Sequence, residues 1–375
     1  MISKNYAIFT TGGASFEQMC GSLLYQMKEK DNILKIVFFG LSKSNEEFIS
    51  HLRILRNCVD ASFPGKLLPI CYVSQCPLVG ALNAEVLHIS SVKDLTITYG
   101  ENYLILENES GRELITGGLL PPDITTTISI QSDAVFSLME EILVKENFPL
   151  NSIVRQWNYI EKITRFDGHH QHYQDFNDSR SRFYSKSDWS HGYPAATGIG
   201  THLGGVMVEF VALSGNETIN MALDNPLQIS AHRYSQKVLL GETDKSTPKL
   251  ASPKFERARI IGSPLRQTVY ISGTAAIRGE ASCLAGDVVE QTRITMENID
   301  HLTSPDNYPF PIGTRTYKLL RVYLKDDSLI EDVSRYLSVN YPEPDKIYIC
   351  ADVCRDELLL EIEGVAEVVT ISEGI

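Results

Sequence analysis

The chain has 375 residues, 43% of them hydrophobic and 22% charged, which is enough for two or three domains with substantial cores. The formal net charge of −13 argues against a nucleic-acid partner, which needs a basic surface, but it allows a small anionic metabolite held by a few arginines. No run of 18 apolar residues occurs and the first residues lack a signal-peptide pattern, so we expect no membrane partner.

Strands and helices alternate through the first 90 residues. In chain order the hydrophobic pattern predicts a strand at "NYAIFTTG", a helix over 16–30, a strand at "ILKIVFFG", a helix over 45–59, and strands at "KLLPICYVS" and "ALNAEVLHIS". Residues 91–150 add two strands, "LTITYG" and "NYLILEN", and a helix over 133–145. We assign residues 1–150 to an N-terminal domain.

A middle section, residues 151–250, is rich in Gly, Asn, His and aromatic residues. The spacing of His169, His170 and His172 in "DGHHQHYQDFND" matches no zinc pattern, so we interpret this stretch as a polar surface loop without a metal. The glycine-rich "ATGIGTHLGG" is followed by the strand-like "GVMVEFVAL" and not by a helix. It therefore indicates a turn, or a close backbone approach to a ligand, instead of a nucleotide site.

Residues 251–375 repeat the order of the first 90 residues. The pattern predicts a strand at "TVYISGTAAI", a helix over 287–302, a strand at "TYKLLRVYLK", a helix over 328–337, and strands at "DKIYICADVC" and "ELLLEIEGVAEVV". We therefore predict an α+β fold with two β-α-β-α-β-β units, mixed sheets, and helices packed on one face.

The last strand carries two glutamates, Glu361 and Glu363, separated by one isoleucine. Side chains two residues apart in a strand point to the same face, and apolar residues flank both. Two neighbouring carboxylates raise each other's pKa, and apolar surroundings raise it further, so one of them is a candidate general acid. The alternative is that both reach solvent at a sheet edge or pair with arginines.

Arg321 lies inside the apolar strand "KLLRVYL", where a charge needs a partner. Either it forms an ion pair with an acid such as Glu363, or its guanidinium captures a substrate carboxylate. The cysteines Cys350 and Cys354 would share one face of a strand, and we interpret them as buried structural thiols. Seven scattered cysteines favour a reducing cytoplasm.

Several ordered motifs resemble a known family. "SPKFERARI", "VYISGTAAIRGE" and "YICADVCRDELLLEIEGVA" are similar to the RidA fold, which is chorismate-mutase-like. "RQWNYIEKI", "YQDFNDSRSRFY", "YPAATGIGT" and "NPLQISAHRY" resemble the chorismatase branch of that superfamily. The resemblance covers about residues 150–370. It implies a C-terminal RidA-like domain at 251–375, a chorismatase-specific middle section, and a degenerate RidA-like domain at 1–150.

The resemblance implies an enzyme that releases pyruvate from chorismate, giving a dihydroxycyclohexadienoate or a hydroxybenzoate, with no metal and no organic cofactor. Glu361 is implied as the acid that protonates the enolpyruvyl methylene, with Glu363 supporting it. The implied substrate-binding residues are Arg257, Arg321, Tyr173, Arg180, Tyr234, Gly273, Thr274, Ala275 and Cys354. Duplicated units mimicking part of the RidA trimer imply a monomer or a small homo-oligomer.

Two departures from the family pattern keep alternatives open. His232 stands where the family has the first of two tyrosines, and the long segment "YSQKVLLGETDKSTPKLASP" replaces a shorter turn. The alternatives are a RidA-like imine or enamine deaminase and a non-catalytic metabolite-binding protein. The deaminase would use an arginine on the penultimate strand, which offers Lys346 but no arginine.

Overall fold

The chain folds into three large β-sheets, and helices pack on each of them. The structure is a computed structural model that describes residues 3–215, 219–240, 249–283 and 286–371. The first unit comprises β1 (Lys4–Thr11), α1 (Phe16–Met27), β2 (Ile33–Gly40), α2 (Asn45–Ser62), β3 (Ile70–Ser74) and β4 (Leu82–Ile89). Ser15 and Ser44 cap the two helices by accepting hydrogen bonds from backbone amides of the first turn.

The second sheet belongs to residues 96–214. Its elements are β5 (Thr96–Tyr99), β6 (Tyr103–Asn108), β7 (Gly111–Thr116), α3 (Ile128–Lys145), β8 (Ile153–Glu161), α4 (His172–Tyr184), β11 (Ala195–Thr201) and β12 (Val206–Ser214), with a short hairpin of β9 (Phe166–Asp167) and β10 (His170–Gln171) before α4. We call the part from β7 to β12 the middle unit.

The third sheet completes the chain. Its elements are β13 (Ile219–Leu223), β14 (Ala258–Gly262), β15 (Arg266–Thr274), α5 (Val288–Leu302), β18 (Ile312–Leu324), α6 (Ile330–Asn340), β19 (Asp345–Cys350) and β20 (Leu360–Thr370), with a hairpin of β16 (Ile277–Arg278) and β17 (Ala281–Ser282) after β15. We call the part from β15 to β20 the last unit. None of the helices in the described ranges is both long enough and apolar enough to cross a membrane.

The three units share one topology. In each, the order is β-α-β-α-β-β, and the last strand lies between the first and the second, antiparallel to both, while the third pairs in parallel with the second. The two units predicted at the ends of the chain are confirmed. The same order occurs a third time over residues 111–214, which starts in the predicted N-terminal section and ends in the predicted middle section. The division into domains stays a prediction.

Two features of the middle unit differ from the sequence-based expectations. The stretch expected as a polar loop contains the hairpin β9–β10 and then α4, which starts at His172. The first half of the glycine-rich stretch is a strand, β11, and the turn follows at Gly204 and Gly205, whose φ angles of 101° and 67° favour glycine. Of the long segment "YSQKVLLGETDKSTPKLASP", residues 241–248 lie outside the described residues.

Each sheet buries both of its faces. The outer faces pack on the helices of their own units in three separate cores. The inner faces of all three sheets pack against one another in the centre of the molecule. Alternation along the strands makes this possible: in β20, Leu360 and Ile362 face the helices, whereas Glu361 and Glu363 face the centre.

Six charged side chains join the three units in this centre. The second strand of each unit supplies a cation, and the last strand of the next unit supplies a glutamate. The pairs are Lys35–Glu209, Arg155–Glu363 and Arg321–Glu85. Because the first unit binds the middle one, the middle the last, and the last the first, we call this set the ion-pair ring. Arg321 closes it with two bonds to Glu85, of 2.5 and 2.8 Å.

Buried ion pairs add little net stability, but the loss of one partner is costly because it leaves an uncompensated buried charge. Glu209 has 0% exposure and forms an ion pair with Lys35. Burial opposes its charge, whereas Lys35, and secondly Arg321, hold the pKa of the carboxyl below its ordinary value. The ring fixes which strands of different units face one another.

Lys35→Met should lower the free energy of unfolding by about 3–5 kcal/mol, because Glu209 would stay buried without its cation. The double variant K35M/E209Q should recover most of that loss. Urea unfolding at pH 7 measures both. The surface variant K186M, which removes an exposed pair with Glu140, serves as control and should cost less than about 1 kcal/mol. Equal losses in K35M and K186M would contradict this role of the ring.

Candidate active site

A cleft opens between the middle and last units, where β11 lies beside β15. Bonds from backbone amides to side-chain hydroxyls join the two strands: the amide of Ala196 donates to Ser272 Oγ over 2.9 Å. Counted with its opening to solvent, the cleft encloses ≈ 850 Å³. Eight of the predicted site residues line it: Glu361, Arg257, Tyr173, Arg180, Tyr234, Gly273, Ala275 and Cys354.

A β-bulge places Glu361 at the floor of this cleft. Ile271 pairs with Gly364 and Thr274 with Ile362, so two residues of β15 lie opposite Glu363 alone. The bulge includes Gly273, where any side chain would overlap a carboxyl oxygen of Glu361. A side chain at position 273 would therefore displace the Glu361 carboxyl group from this position.

The Glu361 carboxyl group is buried, and no hydrogen bond to it is found within the described part of the chain. Burial, and secondly the charge of Glu363, raises its pKa from the ordinary 4.5 to about 8, although Arg155 and Arg257 act in the opposite direction. Near neutral pH the group therefore holds its proton. A protonated carboxyl at the floor of a cleft is a general acid.

Glu363 lies in a different environment from Glu361, only two residues away. It accepts hydrogen bonds from Arg155 Nη2 and Thr197 Oγ1 at one oxygen. At the other oxygen it accepts from Tyr323 over 2.8 Å and from Arg321 Nη1 over 3.1 Å. Four donors, two of them cationic, compensate a negative charge on this group. The two glutamates therefore differ in their surroundings because the ring binds only one of them.

Two buried arginines face the cleft without an acidic partner. Arg257 donates to the Tyr234 hydroxyl over 2.8 Å and to the Ile229 carbonyl over 2.5 Å, and Arg180 donates to Asn177 Oδ1. Their exposures are 3% and 1%, and within the described residues neither forms an ion pair with a carboxylate. The Nε atoms of both have no hydrogen-bond partner there. Buried, unpaired guanidinium groups favour an anionic ligand.

Three predicted site residues do not line the cleft. Arg321 and Glu363 belong to the ion-pair ring, so the structure shows the alternative weighed for Arg321, an ion pair with Glu363, and adds Glu85 as second partner. The substrate-binding interpretation of Arg321 stays a prediction, and these two ion pairs favour the structural alternative. Thr274 is buried and donates its hydroxyl to the Ser272 carbonyl, away from the cleft.

Sequence reasoning missed several residues of the site. Arg355 and Asn177 line the cleft, and Thr197 binds Glu363 beneath it. Arg355 follows Cys354 in a loop, where no periodic pattern marks it. Two ring residues could have been found from the sequence by the criterion that singled out Arg321, a single charge inside an apolar strand. They are Lys35 in "ILKIVFFG" and Glu209 in "VMVEFVAL".

The cysteine and histidine motifs of the sequence lie at different places in the fold. Cys350 ends β19, whereas Cys354 lies in the following loop and on the cleft wall, so the two do not share a strand face. Burial raises the pKa of the Cys354 thiol to about 12, which keeps it neutral. His172 bonds Asp167 over 3.0 Å and the Glu161 carbonyl over 2.7 Å. In the described ranges no cluster of three acidic, His or Cys side chains is arranged to hold a metal.

Comparison with known proteins identifies similar chains. The family model described as "Chorismatase FkbO/Hyg5-like, N-terminal" matches residues 100–212. A 3-hydroxybenzoate synthase of Streptomyces hygroscopicus is 29% identical over 73% of this chain and 79% of its own. A chorismatase of Streptomyces rapamycinicus is 30% identical over 62% of this chain and 68% of its own. A crystal structure of a chorismatase shares the fold, with a TM-score of 0.69, 19% identity, and coverage of 97% of this chain and 98% of that one.

Glu361→Gln should stabilise the protein more at pH 8 than at pH 5. Between pH 4.5 and 8 the folded wild type holds a proton that the unfolded chain releases, so it loses about 1.4 kcal/mol of stability per pH unit. Glutamine does not titrate, and the difference in unfolding free energy should widen across this range. Urea unfolding at pH 5, 6, 7 and 8 measures it. The exposed Glu331→Gln is the control, and a constant difference for E361Q would contradict the raised pKa.

Proposed function

The chain belongs to the chorismatase family, as its motifs predict, and on this premise we propose that it cleaves the enol ether of chorismate and releases pyruvate. The observation that carries the proposal is the cleft itself. It combines a buried carboxyl that holds its proton near neutral pH with two buried arginines that have no carboxylate partner among the described residues. The substrate brings the missing groups, an enol ether and two carboxylates.

The arginines bind the substrate in this proposal. Arg180 and Arg257 each take one carboxylate, because a guanidinium buried without an acid gains most from an anionic partner. Tyr234 holds Arg257 in place through its hydroxyl. Tyr173 packs over Gly198, where a side chain would crowd its ring, and lines the pocket together with Gly273 and Ala275. Arg321 has no part in binding here.

Glu361 performs the chemical step. Its proton is transferred to the terminal methylene carbon of the enolpyruvyl group, and the ether carbon becomes an oxocarbenium ion. Water attack on that carbon gives a hemiketal, whose bond from this carbon to the ether oxygen then breaks, so pyruvate leaves and the oxygen stays on the ring as a hydroxyl. Attack by a neighbouring hydroxyl of the substrate gives a cyclic ketal instead. Loss of a ring proton and cleavage of the ring C–O bond of that hydroxyl then make the ring aromatic, and the ketal opens to pyruvate and a hydroxybenzoate. Carbon protonation is slow, so it requires an acid with a raised pKa. Glu361, now a carboxylate beside Glu363, regains a proton for the next cycle.

Water attack yields a dihydroxycyclohexadienoate, and an internal hydroxyl leads to a hydroxybenzoate. Cys354 lies on the cleft wall and is the side chain through which the two products would be selected. The proposed partner is thus a small anionic metabolite. The residues that line the cleft all come from one chain, which supports work as a monomer or a small homo-oligomer, and the free thiols support a cytoplasmic location.

The alternatives have less support. An imine deaminase would need an arginine on β19, whose sequence, "DKIYIC", has none. A non-catalytic binding protein would gain nothing from the raised pKa of Glu361, which lowers stability at neutral pH. Family membership and the acid at the cleft floor together favour the lyase or hydrolase reaction.

Purified protein should release pyruvate from chorismate, detected with lactate dehydrogenase and NADH, and Glu361→Gln should lower kcat at least about 1,000-fold. Glutamine keeps the shape of the side chain and removes the acid. Glu367→Gln, on the same strand but outside the cleft, is the matched control and should keep wild-type activity. Chromatography of the aromatic co-product then identifies which reaction occurs.

The same assay tests the carboxylate sites. Arg180→Met should raise KM at least about 10-fold, whereas Arg182→Met, two residues away and exposed, should not change it. No pyruvate from the folded wild type would overturn the proposed reaction. Equal rates from wild type and E361Q would show that another group supplies the proton.

A further inference from the structure

We propose that Thr197 is a positioning residue for this reaction: its hydroxyl holds Glu363 and the β15 bulge so that Glu361 keeps the catalytic proton. The inference rests on the function proposed above and extends it to a residue of the middle unit that does not line the cleft. Thr197 lies on β11 and is 2% exposed. Its side chain reaches across the boundary between the middle and last units.

The hydroxyl of Thr197 uses its whole hydrogen-bonding capacity. It donates to Glu363 Oε2. It accepts from Arg155 Nη2 over 2.8 Å and from the backbone amide of Gly273 over 3.0 Å. A hydroxyl has one proton and two lone pairs, so these three bonds saturate it. One side chain therefore binds a cation of the ring, an anion of the ring, and the backbone beside Glu361.

The bond to Gly273 fixes the bulge that forms the cleft floor. In the bulge, the amides of Ser272 and Gly273 point away from the ladder with β20. The Ser272 amide bonds the Arg257 carbonyl, and the Gly273 amide bonds Thr197. Gly273 in turn lies against the carboxyl oxygen of Glu361. Moving Thr197 or removing its hydroxyl would therefore move the wall that confines the acid.

The bonds of Thr197 keep water away from Glu361. Removal of the hydroxyl takes one of the four donors from Glu363 and releases the Gly273 amide that forms the wall beside the acid. Water then reaches the Glu361 carboxyl group, and because burial is the main cause of its raised pKa, that pKa falls. Thr197 thus acts through Glu363 and Gly273, without touching the substrate.

The charged and titratable groups that surround this glutamate pair come from several elements. They are Arg155 of β8, Tyr173 and Arg180 of α4, Arg321 and Tyr323 of β18, Glu85 of β4, and Arg257 and Cys354 of the cleft wall. Substitution of Thr197 leaves every one of them in the chain. A change in the pH profile of the variant can then be assigned to the lost hydroxyl.

The test compares T197V, which keeps the shape and loses the hydroxyl, with T197S, which keeps the hydroxyl. For T197V the alkaline limb of the pH profile of kcat/KM should move down by about one pH unit, and at pH 8 kcat should fall about 5-fold with little change in KM. T197S should follow the wild-type profile. Thermal unfolding checks that each variant is folded, and T197A carries the test if T197V is not.

An NMR titration of protein labelled with ¹³C at the glutamate carboxyls gives a readout that needs no turnover. The Glu361 signal, identified by its loss in E361Q, should titrate at lower pH in T197V than in wild type and T197S. Unchanged titration and unchanged pH profile in T197V would overturn the proposal. Equal shifts in T197V and T197S would also overturn it, because the methyl group would then be responsible. If the wild-type protein releases no pyruvate from chorismate, the proposed reaction is refuted. The NMR titration of Glu361 then still tests the role of Thr197, because it needs no turnover.

Discussion

Two carboxyl groups on the inner face of one buried strand cannot both be charged without compensation, and the architecture of the site depends on this constraint. Arg155 and Arg321 compensate one of them, Glu363. Glu361 faces the cleft and retains its proton. The compensation comes from the ion-pair ring, whose cations are supplied by other strands and mostly by other units. The raised pKa of Glu361 thus depends on how three units pack. Residues far away in the chain bury this carboxyl group and compensate the charge of Glu363 beside it.

The threefold repetition explains why one cleft suffices. Glu361 pairs in register with Tyr323, and the corresponding positions of the first and middle units are Asn83, opposite Phe39, and Met207, opposite Tyr159. Neither can donate a proton as a carboxylic acid does. Met207 instead packs on Cys71 at the boundary between the first and middle units. Each unit keeps the ring glutamate, and the last unit alone carries the catalytic one. Structural and chemical roles have therefore separated along one strand.

The sequence predicts the strands of the first and last units and the shared face of Glu361 and Glu363, because alternation along β20 is a local property. It leaves Arg321 open between an ion pair and a substrate site, since the answer depends on Glu85, which lies 236 positions away. The middle unit escapes detection for another reason. Helix α4 buries polar side chains, including His172, Gln174, Asn177 and Arg180, which interrupt the apolar stripe formed by Phe176 and Phe183. The polar residues of this helix that line the cleft are therefore the ones that make the helix difficult to predict from hydrophobic periodicity.

The central claim is that the ring holds Glu363 as a carboxylate and thereby leaves the proton on Glu361. Neutron diffraction from crystals equilibrated in D₂O at neutral pD tests it most directly, because deuterons are then located at both carboxyl groups. We predict a deuteron on a carboxyl oxygen of Glu361 and none on Glu363, with deuterons of Arg155, Arg321, Tyr323 and Thr197 pointing at Glu363. A bare Glu361, or a deuteron on Glu363 in its place, would contradict the account.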